Sequence, residues 1–192
     1  MRHRLLTDRR ALPVGEQSRL SAEVCRRLVE SAAFAAAGRV VAYAAVDGEI
    51  DPRAAVRDAL ARQVPVHYPR WVESSGLQFV EDGGEGLVPG RGGVPEPQDG
   101  PLLSPRARGL VFLVPGVAFD PDGRRLGRGA GCYDRALAEY PDALRIGLAY
   151  EFQLVPSLPE ESWDVRMHAI ATEARMLWTR AEPAGVSKET SS

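Results

Sequence analysis

The chain has 192 residues, which is enough for one substantial hydrophobic core and short for two domains. Its formal net charge of −2 excludes a broad positive surface of the kind that binds nucleic acid. Two cysteines, Cys25 and Cys132, are too few for a disulfide framework and lack metal-ligand spacing. No apolar run approaches membrane-spanning length, and the basic N-terminus lacks a signal-peptide core. We therefore expect a cytoplasmic protein with no nucleic-acid or membrane partner.

Helical patterns occupy much of the first sixty residues. A short basic segment ends at Pro13. Residues 16–34 predict an amphipathic helix, because apolar side chains recur there at fourfold spacing. Asp51 and Pro52 predict the start of another helix, with the aspartate as N-cap and the proline at the first helical position.

Apolar runs between these helical segments predict β-strands. They lie at residues 39–45, 64–68, 77–80, 110–114, 144–148 and 169–172, with a further candidate at 175–179. Residues 81–101 are rich in glycine, proline and acid, which predicts a long loop of the kind that is usually functional or mobile. Strands separated by helices predict the α/β class: a single three-layer αβα domain, residues 1–180, around a mainly parallel sheet. The polar tail, residues 181–192, is expected to be disordered.

The most informative segment is residues 114–135, VPGVAFDPDGRRLGRGAGCYDR. A strand leads into an Asp-Pro-Asp-Gly turn, and glycines then alternate at Gly127, Gly129 and Gly131 before a helical segment begins. Glycine allows positive φ and close approach to a ligand, so consecutive N–H groups can form an anion site at the helix start. The pattern is neither a Walker loop nor a Rossmann fingerprint, and a long surface turn is the alternative.

Charged residues around these glycines strengthen the phosphate-binding interpretation. Arg125 and Arg128 flank the loop, and arginine offers a bidentate fork to phosphate oxygens. Asp134 follows the last glycine, where a carboxylate could hold the metal that accompanies a triphosphate. Its alternative role is that of a first-turn acid that offsets the helix dipole.

The segment resembles the signature of the 5-formyltetrahydrofolate cyclo-ligases, also called methenyltetrahydrofolate synthetases. Twelve positions fall in register with that signature: Pro115, Gly116, Phe119, Asp120, Gly123, Arg125, Leu126, Gly127, Gly129, Gly131, Tyr133 and Asp134. Further landmarks follow in the family's order, at residues 48–51, 69–70, 93–97, 149–153 and 163–165. The resemblance thus covers nearly the whole chain, to about Thr179.

The resemblance implies a ligase of folate one-carbon metabolism. Such an enzyme uses magnesium and ATP, as co-substrate, to convert 5-formyltetrahydrofolate into 5,10-methenyltetrahydrofolate, with release of ADP and phosphate. The implied ATP-binding residues are Arg2, Arg125, Leu126, Gly127, Arg128, Gly129, Ala130, Gly131, Cys132 and Tyr133. Among them Arg125 and Arg128 are the implied catalytic residues, because they would neutralise charge on the phosphates. Asp134 and Asp164 match the positions of the magnesium ligands.

The resemblance also implies a folate site at Glu49, Ala44 and Tyr133. A carboxylate at Glu49 could accept two N–H bonds from the aminopyrimidinone edge of a pterin. Each assignment has a plainer alternative: Glu49 as a turn acid, Tyr133 as an anchor of the loop, and Asp164 as a cap for the next strand. Reduced folate and ATP are the expected small-molecule partners, and we expect a monomer.

The chain departs from the family pattern at two notable points. The family's N-terminal lysine would precede Met1, because Arg2 matches the arginine that follows it by about four residues. Either the chain begins late, or Arg4 or another arginine substitutes, or ATP handling is impaired. Cys132 replaces an aromatic residue, so ring stacking there is lost. These departures leave open a catalytically impaired paralogue that binds nucleotide or folate in a regulatory role. An enzyme of related architecture that acts on a phosphosugar or acyl-CoA is a third possibility.

Overall fold

The computed structural model describes residues 1–82, 86–129 and 131–179. Most of the apolar runs predicted from the sequence are β-strands in it. The strands are β1 (Arg39–Val41), β2 (Val66–Val72), β3 (Gly76–Glu81), β4 (Leu87–Pro89), β5 (Pro95–Pro97), β6 (Leu110–Pro115), β7 (Ala118–Phe119), β8 (Arg125–Leu126), β9 (Leu144–Leu148), β10 (Ala169–Ala171) and β11 (Met176–Trp178). The helices are α1 (Arg2–Ala11), α2 (Val14–Glu30), α3 (Ala32–Ala35), α4 (Arg53–Ala61) and α5 (Cys132–Ala138). Ala130 and the tail expected to be disordered, residues 181–192, lie outside the described residues.

The main sheet is mixed and mostly parallel. Its strand order within the described ranges is β11-β10-β9-β6-β1-β2-β3. The five central strands, from β10 to β2, pair in parallel, whereas the two edge strands β11 and β3 pair antiparallel with their neighbours. Two small antiparallel pairs, β4 with β5 and β7 with β8, lie outside this sheet. The predicted α/β class with a mainly parallel sheet is confirmed.

Helices cover both faces of the sheet. Along β6, Val111 and Leu113 belong to the apolar cluster that includes α2, α3 and α4, whereas Phe112 and Val114 belong to the cluster that includes α5. This alternation follows from the twofold side-chain period of a strand, and it requires apolar residues at every position of a strand buried on both faces. The α1 helix instead packs through Leu5 in a third, smaller cluster.

Several boundaries differ from the sequence-based prediction. The helix predicted over 16–34 begins at Val14 and ends before Ser31, whose extended backbone (φ −76°, ψ 135°) interrupts the helical run. The Ser31 hydroxyl accepts the N–H of Phe34 and so starts the short α3. The strand predicted over 39–45 ends at Val41. The region predicted as a long loop contains the β4–β5 hairpin, so that prediction was wrong in part.

The start of α4 lies one residue later than predicted. The helix begins at Arg53, with Pro52 as the cap residue, and the Asp51 carboxylate accepts the Arg53 backbone N–H at 3.0 Å. The aspartate thus satisfies a first-turn donor as expected, although the proline is outside the helix. Across the described ranges of the chain, none of the helices is both long and apolar enough to span a bilayer.

Candidate active site

A cavity of about 300 Å³ opens beyond the carboxyl ends of the central strands. The segment after β1 contributes Tyr43 and Ala44 to its wall, and β6 ends there at Pro115. The other side is formed by the glycine loop and the start of α5, which includes Asp134. In parallel α/β sheets this edge is the usual place for a ligand, because the loops that follow the strands converge there. The cavity brings together most of the residues that the sequence predicted.

Asp120 makes the turn before the glycine loop rigid. Its buried carboxylate accepts backbone N–H groups from Asp122, Arg124 and Leu158, and also the Arg124 guanidinium. The Gly123 N–H bonds to the Asp120 carbonyl at 2.9 Å and closes the turn. Arg124 also pairs with Glu160, outside the cavity wall, so the second arginine of the motif, Arg125, is the one that faces the cavity.

Glycine is required at the alternating positions of the loop for different physical reasons. Gly129 (φ +114°) and Gly131 (φ +61°) adopt left-handed backbone conformations that other residues rarely adopt. A Cβ on Gly127 would lie 2.9 Å from an Arg125 guanidinium nitrogen. The first of these glycines therefore leaves room for Arg125, and the other two permit the turn into α5.

Arg125 and Asp134 form the closest ion pair of the cavity wall, with Nη2 at 2.8 Å from Oδ2. The Arg125 side chain is 5% exposed, and its Nε has no hydrogen-bond partner among the described residues. The guanidinium carbon lies 5.7 Å from the centre of the Tyr133 ring. A buried guanidinium with a free donor suits a charged oxygen ligand, because an unsatisfied buried donor is costly.

Arg128 connects the glycine loop to the turn after β1. Its guanidinium lies 3.1 Å from Asp47 Oδ2 and 3.1 Å from Glu49 Oε1. The Arg128 side chain is 46% exposed, whereas Glu49 is 9% exposed. Two carboxylates thus hold an exposed arginine that could turn toward a phosphate.

Glu49 is fixed by its own turn as well. Its Oε2 accepts the Val46 N–H at 3.2 Å, as expected of a turn acid, while its carboxylate also lines the cavity. Burial, and then the negative charge of Glu49, raises the pKa of the Tyr133 hydroxyl, which keeps that group protonated. Ala44, the third predicted folate residue, lines the same cavity as Glu49 and Tyr133.

Arg2 reaches the glycine loop from α1. Its Nε donates to the Gly127 carbonyl at 3.0 Å, beside the predicted phosphate site. Arg4, a possible substitute for the family's lysine, instead pairs with Asp8 on the exposed surface of the same helix at 3.7 Å. Cys132 lines the cavity, with its sulfur 3.8 Å from an Arg135 nitrogen.

Another part of the cavity wall is formed by residues that lie outside the predicted set of site residues. The Arg91 guanidinium lies 4.3 Å from the Trp71 ring centre, and Glu96 accepts the backbone N–H groups of both residues. All three line the cavity. An isolated tryptophan most often serves packing, and nothing in residues 87–97 indicates a folded hairpin, so the sequence signal here was weak.

Asp164 occupies a different kind of position. Its Oδ2 accepts the Glu161 N–H at 2.9 Å within the preceding turn, which is not the strand cap considered as its plainer role, and the cavity wall does not include it. No group of three His, Cys, Asp or Glu side chains in residues 1–82, 86–129 and 131–179 could hold a metal ion by itself. Asp134 still suits magnesium, which often takes one or two carboxylates together with substrate phosphates and water. Both metal assignments stay predictions.

The sheet, the cavity at its carboxyl edge and the convergent charges define an α/β enzyme. The model of the 5-formyltetrahydrofolate cyclo-ligase family matches residues 1–173, and the chain belongs to this family. The 5-formyltetrahydrofolate cyclo-ligase of Escherichia coli K12 is 31% identical over 176 residues, which cover 88% of this chain and 96% of the relative. The family resemblance seen in the sequence is therefore confirmed.

Solved structures agree with this membership. The NMR structure of Aquifex aeolicus 5,10-methenyltetrahydrofolate synthetase has a TM-score of 0.82 and 31% identity, and the match covers 98% of this chain and 94% of that one. A 5,10-methenyltetrahydrofolate synthetase from Mycoplasma pneumoniae has a TM-score of 0.72 and 25% identity, with 90% of this chain and 96% of that chain covered. The α/β sheet described above is thus a fold shared with these synthetases.

Proposed function

We propose that this chain converts 5-formyltetrahydrofolate into 5,10-methenyltetrahydrofolate in a reaction that requires ATP and magnesium and releases ADP and phosphate. The observation that supports this most directly is the cavity in which Arg125, Arg128 and Asp134 line the same space as Glu49. Cations suited to phosphate and a carboxylate suited to a pterin edge thus share one pocket. The names of the similar proteins are consistent with this substrate.

On this proposal, the nucleotide phosphates bind along the glycine loop. Backbone N–H groups of the loop, together with Arg2, Arg125 and Arg128, neutralise the phosphate charge. Ala130 belongs to the proposed set by its position in the loop. The positive φ values at Gly129 and Gly131 support the proposal, since a loop of this kind can turn its N–H groups toward an anion.

The pterin of the folate is proposed to face Glu49, with Ala44 and Tyr133 beside it. The carboxylate lies 3.1 Å from the Arg128 guanidinium, and its oxygens can accept two N–H bonds from the aminopyrimidinone edge. Trp71, whose ring has Arg91 stacked on one face, lines the same cavity and offers further apolar ring surface. This arrangement can hold a flat ring between an acidic anchor and an apolar wall.

The reaction needs activation of a poor leaving group, the formamide oxygen. That oxygen attacks the γ-phosphorus of ATP, and the bond from the γ-phosphorus to the oxygen that leaves with ADP breaks. N10 then attacks the formyl carbon, phosphate departs with the former formyl oxygen, and the N10 proton is released. Arg125 and Arg128 stabilise charge on the transferred group, so that the protein contributes position and electrostatics more than covalent chemistry.

Magnesium, when bound, would neutralise charge on the nucleotide phosphates. Asp134 is the carboxylate proposed to hold it, and the same carboxylate orients Arg125 at 2.8 Å. Asp164 is retained as a proposed second ligand on its match to the family position alone. The monomeric state, the cytoplasmic setting and the absence of nucleic-acid and membrane partners remain predictions.

A second candidate is a family member that binds nucleotide or folate without turnover. Cys132, which replaces an aromatic residue at the cavity wall, favours this candidate. The ion pair of Arg125 with Asp134 and the position of Arg2 at the loop disfavour it, because they retain the charged groups that phosphoryl transfer needs.

The test is formation of the methenyl product, followed by its absorbance, with purified protein, 5-formyltetrahydrofolate, magnesium and ATP. We expect a rise that disappears when either ATP or magnesium is omitted. If folded protein binds folate and nucleotide yet shows no rise, the binding paralogue is correct instead. A rise without ATP would contradict both candidates.

A further inference from the structure

Arg9 is a buried arginine on the basic helix α1, whose other arginines are exposed. Its side chain is 1% exposed, although the next residue, Arg10, is 57% exposed. Arg9 Nε donates to the Asp47 carbonyl at 3.0 Å, and Nη1 donates to the Gly116 carbonyl at 3.2 Å. Arg9 thus joins the turn after β1 to the turn after β6, and these two turns form adjacent parts of the cavity wall.

The third nitrogen of the Arg9 guanidinium, Nη2, has an unsatisfied hydrogen-bond donor. Nη2 has no hydrogen-bond partner among the described residues and lies 3.7 Å from Glu49 Oε1. Burial lowers the pKa of Arg9, and the negative charge of Glu49 opposes that effect. A buried guanidinium is tolerated only where carboxylates and carbonyls compensate it, and Glu49 is the carboxylate nearest to this unsatisfied group.

Arg9 and Arg128 converge on the same oxygen of Glu49 from different environments. Arg128 lies 3.1 Å from Oε1 but is largely exposed, and it belongs to the glycine loop. On the proposed function, the nucleotide phosphates compete with Glu49 for Arg128. Arg9 donates to the backbone carbonyls of Asp47 and Gly116, and these bonds do not involve Arg128. Arg9 therefore stays in place when Arg128 moves away from Glu49.

We propose that Arg9 is a positioning residue that keeps the Glu49 carboxylate aimed at the folate when Arg128 turns to the nucleotide phosphates. This inference rests on the proposed function. Oε2 accepts the Val46 N–H, and Oε1 lies at ion-pair distance, 3.7 Å, from Arg9 Nη2. Glu49 also lines the cavity, and on this inference its remaining lone pairs accept the pterin N–H groups. Folate affinity should then depend on Arg9 most strongly in the ternary complex.

The test compares Arg9→Met with Arg10→Met, a neighbouring arginine that pairs with Asp47 at the surface. Affinity for 5-formyltetrahydrofolate is measured by calorimetry with and without magnesium and a non-hydrolysable ATP analogue. We expect Arg9→Met to weaken folate binding about tenfold or more with the analogue present, and less without it. Affinity for the analogue should change by less than about twofold, as should both affinities in Arg10→Met.

Two further variants separate positioning from a general loss of structure. Arg9→Lys keeps the charge but has fewer fixed donors, so it should fold and show an intermediate loss of folate affinity. In a Glu49→Gln background, Arg9→Met should have a much smaller effect, because Arg9 acts through that carboxylate. Additive effects, equal losses for folate and nucleotide, or unchanged folate affinity in folded Arg9→Met would each overturn the inference. Wild-type protein that binds no folate would refute the proposed function and this inference with it.

Discussion

Arg125 and Asp134 illustrate how single residues here have both structural and proposed catalytic roles. The pair is nearly buried and joined at 2.8 Å, so each holds the other in position before any ligand arrives. On the proposed function, Asp134 would hold magnesium and Arg125 would hold a phosphate. The exchange replaces one charge pair with two and avoids leaving either group buried and uncompensated.

Replacement of Asp134 by asparagine should therefore reduce turnover by about a hundredfold or more, since both the proposed metal ligand and the anchor of Arg125 are lost. The measurement is kcat for methenyl formation across a magnesium titration. Asp122→Asn is the matched control, because Asp122 belongs to the preceding turn and pairs with Arg124 outside the cavity wall. Retained magnesium-dependent activity in Asp134→Asn would remove the metal assignment.

At the residue scale, the sequence predicted those groups that lie in one continuous motif. Arg125, Arg128 and Asp134 fall within ten positions of each other, so local spacing alone places them together. Arg9 was missed because its partners, Asp47 and Gly116, lie 38 and 107 positions away. The sequence of α1 contains several arginines, and nothing in it distinguishes the one that becomes buried in the fold.

The glycine loop and the turn before it form one element with separable functions. Asp120 serves stability, since its carboxylate accepts bonds from groups in the turn and from the Leu158 N–H. Gly131 sets the backbone conformation at the start of α5, since it has a φ of +61° and directly precedes the first residue of that helix. A shared sequence motif thus contains positions whose substitution should affect different properties.

Asp120→Ala should lower the free energy of unfolding by about 3 kcal/mol, because it leaves the buried Leu158 N–H and part of Arg124 without an acceptor. Urea denaturation measures the free energy of unfolding. A lower value together with unchanged folate affinity of the folded protein would agree with a structural role. Unchanged stability would show that the turn does not depend on this carboxylate.

Gly131→Ala should weaken ATP binding and lower stability by roughly 1 kcal/mol, because a residue with a Cβ is strained at positive φ. Gly15→Ala is the matched control: Gly15 lies in α2, a Cβ there would meet no other atom within 4 Å, and the substitution should be neutral or stabilising. Thermal unfolding and the KM for ATP measure both effects. If the two variants behave alike, backbone conformation is not what Gly131 supplies.

The β4–β5 hairpin shows why elements of this wall could not be predicted. Each strand has three residues, and prolines occupy one end of β4 and both ends of β5. Such a segment has too little periodicity to indicate strands. The hairpin is instead held by Glu96, whose carboxylate accepts the N–H groups of Trp71 and Arg91. Contacts of this type depend on tertiary structure.

For the whole molecule, alternation of helices and strands was enough to predict the class of fold and the edge of the sheet that carries the site. Parallel strands joined by helices place their carboxyl ends together, and the glycine loop follows β6 at that edge. The antiparallel edge strands β3 and β11 and the break at Ser31 needed the structure, since they depend on packing partners distant in sequence.

The molecule should lose stability as the pH falls through the range in which histidine titrates. Burial, and then the positive charge of Arg145, lowers the pKa of His168 to about 4. The folded state then keeps His168 neutral while the unfolded chain binds a proton below pH about 6.5, so the contribution is full above that pH and is lost toward pH 4. The loss from this group alone is roughly 3 kcal/mol at most.

Urea denaturation between pH 7 and 5 measures this effect. His168→Asn should remove most of the part of the pH dependence of unfolding free energy that His168 contributes. His67 contributes in the same direction, because burial also lowers its pKa. His3→Asn, on the exposed surface of α1, should leave the pH dependence unchanged. An unchanged slope in His168→Asn would contradict the account of a buried neutral histidine.

Activation of the formamide oxygen by phosphoryl transfer from ATP can be tested with 5-formyltetrahydrofolate labelled with ¹⁸O in the formyl group. The protein is incubated with the labelled substrate, magnesium and ATP, and the released phosphate is analysed by mass spectrometry. Phosphoryl transfer to the formyl oxygen places one ¹⁸O atom in each released phosphate, in amounts equal to the methenyl product. Unlabelled phosphate, or product formed without ADP, would contradict it.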